Sequence, residues 1–291
     1  MKINPVYRQE TKVSARSFRL PLIILACNSV LALAGLLEMH VMVSQVKATA
    51  EIQYSSFLSL YLFVAAIEFI MLLLIVPALT AGSISGEREK QTLNLLLTTP
   101  MTAGDIVAGK LAASLSNVFL LIISSFPMLS LVFIYGGVTA GDIAMVLLCF
   151  SSTALLAGSI GICCSSVFKR SAMATAASYC AMAVLVFGTL ALSGFVSSFG
   201  TVPDRSASHG GSFSWLLLGN PAVSFGLILK KQMGGAQTVF VLDALAGAFP
   251  SCFKEYGWPA VSMVVQILLA GLCLRIAVRQ VNPGRNRRWK I

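Results

Sequence analysis

Six apolar runs, at about residues 20–43, 58–84, 106–135, 142–167, 171–198 and 257–278, limit what this chain can fold into. Each reaches the ~20 helical residues that cross a ~30 Å hydrocarbon core. Backbone polar groups find no water there, so spanning segments are helices or strands of a closed barrel. The runs are continuous rather than alternating, which selects helices. Of the 291 residues, 57% are hydrophobic and 11% are charged. A soluble domain carries about 25% charged residues. The reading is an all-α polytopic membrane protein with six spans. The first run follows basic residues, as a secretory leader would. It is too long for a leader core and shows no clear cleavage site, so it is read as a retained span.

The net charge of +10 would point to nucleic acid in a soluble protein. Here no aromatic-rich basic domain exists to read bases, and basic residues collect on the cytosolic side of membrane helices. With the N-terminus inside, 16 of the 21 Lys and Arg fall on the inner side. The five outer ones are Lys47, Arg205, Lys230, Lys231 and Lys254. Both termini are expected in the cytosol.

Asn4-Pro5 opens an amphipathic segment, with Asn as N-cap and Pro in the first turn. Its Arg8, Lys12 and Arg16 suit a helix lying in the inner interface. Residues 1–19 are therefore an interfacial helix, 20–278 one transmembrane domain, and 279–291 a basic cytosolic tail. Pro77 and Pro127 fall inside spans and are expected to kink them. Residues 199–255 form an outer connection with two apolar pieces, "WLLLGNPAVSFGLIL" and "TVFVLDALAGAF". Both are short for spans, so re-entrant helices before the sixth span are expected. Two extra crossings are the alternative; they would put Lys230-Lys231 in a cytosolic turn.

Motifs for chemistry are few. "GDIVAGKL", residues 104–111, fits most of a phosphate loop but ends in Leu111, where the magnesium-binding hydroxyl should stand. It also leads into a membrane helix rather than following a strand. Thr102 and Asp105 read instead as a helix cap. Gly109 would let helices approach, and Lys110 would snorkel to the headgroups. No nucleotide site, cofactor or metal ligand set is expected on this chain, and no enzymatic activity of its own. His40 and His209 are far apart. Six of the seven cysteines lie in apolar runs, so they pack as small apolar residues. Glu68, mid-span, is costly at that depth. It reads equally as a substrate-path or proton-linked site and as a helix-to-helix hydrogen bond.

The densest charge run, "SGEREKQTLNLLLTTP" at residues 85–100, lies between the second and third spans. Its periodicity predicts a cytosolic amphipathic helix over 86–99, stopped by Pro100. Glu87, Gln91, Asn94 and Thr98 fall on one stripe, and Leu93, Leu96 and Leu97 on the opposite one. Arg88 and Leu95 lie to one side. Glu89 is expected to brace the helix, by capping or by pairing with a base such as Arg8. The polar stripe lacks the Lys and Arg that lipid-resting helices favour.

The run "SGEREKQTLNLLLTTPMTAGDIVAGKL" resembles the signature of the ABC type-two exporter permeases. In that family E-R-E-x-x-T-L-x-x-L-L-x-x-P precedes a G-K in the next helix. The matching positions are Glu87, Arg88, Glu89, Thr92, Leu93, Leu96, Leu97, Pro100, Gly109 and Lys110. "NPVYRQE" resembles the family's N-terminal interfacial helix, and the region around "GNPAVSF" its paired re-entrant helices. The resemblance implies a multi-pass permease of the cell membrane, a second permease subunit (the same chain or another), and a separate cytosolic ATPase holding ATP and Mg. It implies coupling to that ATPase through the 86–99 helix, with Glu87, Arg88, Glu89, Gln91, Asn94 and Leu95 as the contact set, and alternating access for an exported substrate. The family's cargo is too varied to name the substrate. Two other readings stand: a proton-coupled secondary transporter using Glu68, and a membrane anchor for an enzyme complex.

Overall fold

The computed structural model describes residues 4–49, 54–92, 101–135, 139–199, 216–232 and 257–282, and every regular element among them is a helix. Six helical stretches are long and apolar enough to cross a membrane: Leu20–Ser44, Leu60–Glu89, Ala103–Pro127, Ala140–Val167, Ser171–Phe195 and Gly257–Val281.

Helix α1 (Pro5–Arg16) starts as its sequence dictates. The Asn4 side chain accepts from the Val6 amide at 3.0 Å, and Pro5 occupies the first turn. The exposed Arg8, Lys12 and Arg16 share one face, and Val6 is buried on another. Ser17 is extended and turns the chain into α2 (Arg19–Thr49). Among the described side chains of α2 only a narrow stripe, Cys27, Leu31 and Ala34, is buried; Leu22, Leu25, Leu33 and Leu36 are exposed. That is the pattern of a helix facing lipid on most sides.

Helix α3 (Tyr54–Ala81) and α5 (Ala103–Tyr135) continue as helices past Pro77 and Pro127. The Tyr179 hydroxyl donates to the Leu74 carbonyl at 2.7 Å, so a neighbouring helix supports α3 near its proline. Between them α4 (Ser85–Glu89) is a single turn.

Helix α6 (Ala140–Val167) is the axis of the bundle. It opens with a capping box, in which Thr139 and Asp142 satisfy each other's amides. Most of its length is buried, and it packs against α3, α5 and the helices at Ser171–Ala183, Pro221–Gln232 and Gly257–Val281. Small residues permit this. A Cβ on Gly161 would fall on the Thr80 side chain, so only glycine lets α3 and α6 meet there. Phe150 of α6 joins Phe69 and Phe225 in an aromatic cluster, with the last two stacked at 4.3 Å.

The fifth span is α7 (Ser171–Ala183), a π-helical turn at Val184–Gly188, and α8 (Thr189–Phe199). Asn220 donates to the Val186 carbonyl at 2.9 Å and to the Thr189 hydroxyl at 2.7 Å, at that turn. The same side chain caps α9 (Pro221–Gln232) by accepting from the Ala222 amide at 2.9 Å. Helix α9 therefore begins at the middle of the fifth span. It ends beside the start of α6, where Gln232 donates to the Asp142 carbonyl at 3.0 Å. Its 12 residues span about 18 Å, short of the ~30 Å core. The second apolar piece, 238–249, lies outside the described residues. Helix α10 (Gly257–Val281) completes the bundle. Its buried Ser262 and Gln266 bond to Ser224 of α9, and Gln266 also accepts from Ser152 of α6 at 3.1 Å. These polar groups satisfy one another away from water, as buried polar groups must.

Candidate functional site: the elbow between α3 and α5

Residues 85–92 form a compact elbow, and this corrects the expectation of one unbroken helix over 86–99, of which 93–99 lie outside the described residues. Helix α4 ends at Glu89. The Thr92 amide bonds back to the Glu87 carbonyl at 3.0 Å, and the Gln91 amide to that of Arg88 at 3.1 Å. Gln91 has φ 58°. This is a Schellman stop, usually built on glycine. The proposed stripe through Gln91 is thereby broken. Gln91 is exposed, and Asn94 and Leu95 lie outside the described residues.

The start of α4 is capped from another helix. Ser165 of α6 accepts from the Ile84 and Ser85 amides, both at 2.9 Å. These are donors that a helix N-terminus cannot satisfy internally.

Glu87, Arg88 and Glu89 then each reach a different element. Glu87 is not on a free cytosolic stripe: its Oε1 lies 2.7 Å from Lys110 Nζ of α5. Lys110 does not snorkel to headgroups either. It is 3% exposed and also meets Glu10 of α1 at 2.7 Å. One ammonium thus joins two carboxylates from two elements. The close seating of α1 on α5 allows this. A Cβ on Gly109 would come within 3.0 Å of the Asn4 amide nitrogen and 3.1 Å of Val6 Cβ. Asn4 Nδ2 also donates to the Asp105 carbonyl at 2.6 Å, beside the Thr102–Asp105 cap.

Arg88 donates to the Ser166 and Phe168 carbonyls at 3.1 and 3.4 Å, at the C-terminus of α6, where the helix dipole favours a cation. Glu89 accepts from the Ser171 hydroxyl at 2.6 Å, in the first turn of α7. Of the two braces expected for Glu89, capping or pairing with a base such as Arg8, the second is not formed: the contact is to Ser171, because α4 leans on the α6–α7 turn rather than on α1. The elbow is therefore fastened to α1, α5, α6 and α7. Sequence reasoning missed Glu10, Ser165 and Ser171 as partners. Glu10 carried a signal: it lies four residues after Val6, on the buried face of α1.

Glu68 sits apart from the elbow. It is fully buried and accepts from the Ser125 hydroxyl of α5. Its second oxygen has no partner among the described residues. No described cavity is lined by it.

A family model for ABC-2 family transporter proteins matches residues 5–205. The chain belongs to the ABC-2 family of transporter proteins. The matched region holds α1, the elbow, the α5 and α6 axis and the whole fifth span, the elements just described. No curated protein matches the chain. As an ABC-2 permease it is a multi-pass membrane component of a transporter.

Proposed function

We propose that this chain is the membrane-spanning permease of an ATP-driven exporter, and that the elbow at residues 85–92 and the residues following it receive a separate cytosolic ATPase. The observation that carries this reading is the fastening of the elbow. Ser85, Glu87, Arg88 and Glu89 each bond to another element, so a displacement applied there enters α1, α5, α6 and α7 together. A segment that merely rested on lipid would need no such connections. The exposed Gln91, with Asn94 and Leu95 beyond it in the sequence, is the set proposed to meet the motor. ATP closing the motor dimer would draw two elbows together and switch a pathway between two permease subunits. ATP and Mg reside on the partner.

The test is pull-down of the ATPase and ATP-driven transport in reconstituted vesicles. Leu95→Asp should weaken ATPase capture by placing a charge in the contact. Arg88→Lys should retain capture and lose coupling, because an ammonium does not reproduce the guanidinium's two-carbonyl geometry. ATPase capture and transport at wild-type level in both variants would refute the docking role.

A further inference from the structure

Beside the Glu10–Lys110–Glu87 triad lies a cleft of about 470 Å³, bounded by α1, the start of α2, the end of α3, α4 and α5. It has two ends of different chemistry. Val13, Leu20, Ile23 and Leu79 form an apolar end. Glu10, Glu87, Lys90 and Lys110 form a charged end. Between them stand Ser83 and Ser114, and the Ser14–Asn117 hydrogen bond. The Ser114 hydroxyl has no partner among the described residues. Gly82 and Gly86 leave the wall bare: a Cβ on either meets no atom within 4 Å.

The shape and lining call for an amphiphile, with its chain among the leucines and its head at the triad. The charge balance selects the head. Lys110 is consumed by two carboxylates at 2.7 Å each, and its side chain is 2% exposed. Glu10 keeps 39% of its side chain exposed, so its carboxylate still has acceptor capacity facing the cleft. Lys90 is exposed at the rim, where water already solvates it. An incoming anion would meet two carboxylates; an incoming ammonium would complete the triad as a second cation between them.

We infer that this cleft binds an amine-headed amphiphile from the leaflet on the basic side of the membrane. The inference takes its sidedness from the distribution of Lys and Arg, and rests on the export reading only for the direction in which such a molecule would travel. Two sources share this chemistry: an aminophospholipid of the leaflet and a free cationic amphiphile.

The experiment uses the full chain, without ATPase, in phosphatidylglycerol nanodiscs with a diazirine-bearing dodecylammonium probe. Cross-links should map to peptides holding Val13–Ile23 and Leu79–Lys90. Dodecylammonium should compete and dodecyl sulfate should not. Gly82→Leu fills the cleft from a position with open space and leaves the triad untouched; labelling there should fall about tenfold. Undiminished labelling in Gly82→Leu, equal competition by dodecyl sulfate, or labels spread over all helices would overturn the site. Adding phosphatidylethanolamine separates the sources. Competition by it identifies the leaflet lipid as occupant, and its failure to compete identifies the free amphiphile; both uphold the site. Because no ATPase is present, loss of the site leaves the export reading standing, and a failed ATPase capture leaves the site standing.

Discussion

Lys110 Nζ lies 2.7 Å from Glu87 Oε1, although 23 residues separate them and the lysine side chain is 2% exposed. Taking one partner from a buried ion pair typically costs about 3–5 kcal/mol. Glu87 Oε2 is buried with no partner among the described residues, whereas Glu10 keeps 39% of its side chain exposed, so water can re-solvate it once the lysine is gone. Lys110→Met should therefore cost less, about 1–3 kcal/mol. Glu87→Gln should cost less still, since it leaves Glu10 as counter-ion. Glu87→Lys should be the most harmful, with two ammoniums side by side. Thermal unfolding in detergent orders the three. If Lys110→Met melts like wild type, the triad does not tie α1 to the elbow.

Gln91 holds φ 58° to close the Schellman stop. A residue with a Cβ in that conformation costs roughly 1–2 kcal/mol relative to glycine. Gln91→Gly should raise stability by up to about 1 kcal/mol, part of the gain being lost to backbone entropy in the unfolded chain. Gln91→Val should lower it. The opposite ranking in thermal unfolding would mean that the chain continues helically through this position.

These two residues also show what the sequence conveys and what it hides. The six spans were legible because a run of some 20 apolar residues has few other fates. The Asn4 and Thr102 caps were legible because capping is local. The end of α4 was not. Its stop is built on Gln91 rather than on glycine, and the periodicity of the following leucines matches a helix. The partners of the run were hidden for another reason. Glu10 and Lys110 are 100 residues apart, and Glu89 and Ser171 are 82 apart, so only the packing of α1 on α5 and of α4 on α7 brings them together. Glycines gave partial notice: Gly109 was read as a close approach, and α1 is what approaches it.

Gly161 of α6 faces Thr80 of α3, whose hydroxyl donates to the Val76 carbonyl at 2.8 Å. Gly161→Ala would place a methyl on that side chain and push α3 from the axis helix. Overpacking of this kind costs about 1–3 kcal/mol. Thr80→Ala in the same chain removes the obstructing hydroxyl but keeps the Cβ at 2.9 Å, so it should restore part of the loss. A double variant no more stable than Gly161→Ala would show that the strain lies elsewhere.

Glu68 is fully buried, and its one bonding partner among the described residues is the Ser125 hydroxyl. Neither described salt bridge includes it. A carboxylate kept charged at that depth would cost about 2.5 kcal/mol or more on insertion scales, and no ion pair among the described residues offsets this. Ser125 has a second acceptor in the Ile122 carbonyl at 2.8 Å, so it does not depend on Glu68. The contact favours the helix-to-helix hydrogen bond between α3 and α5 over a step in proton traffic. Glu68→Gln should preserve ATP-driven transport in vesicles. Glu68→Leu should keep the fold and match or exceed wild-type thermal stability, because an apolar residue of similar size removes a buried polar group without stranding its partner. The decisive measurement is transport with and without ATP, across an imposed pH gradient. Transport driven by the gradient alone and lost in Glu68→Gln would make the chain a proton-coupled carrier, and the elbow would need another explanation.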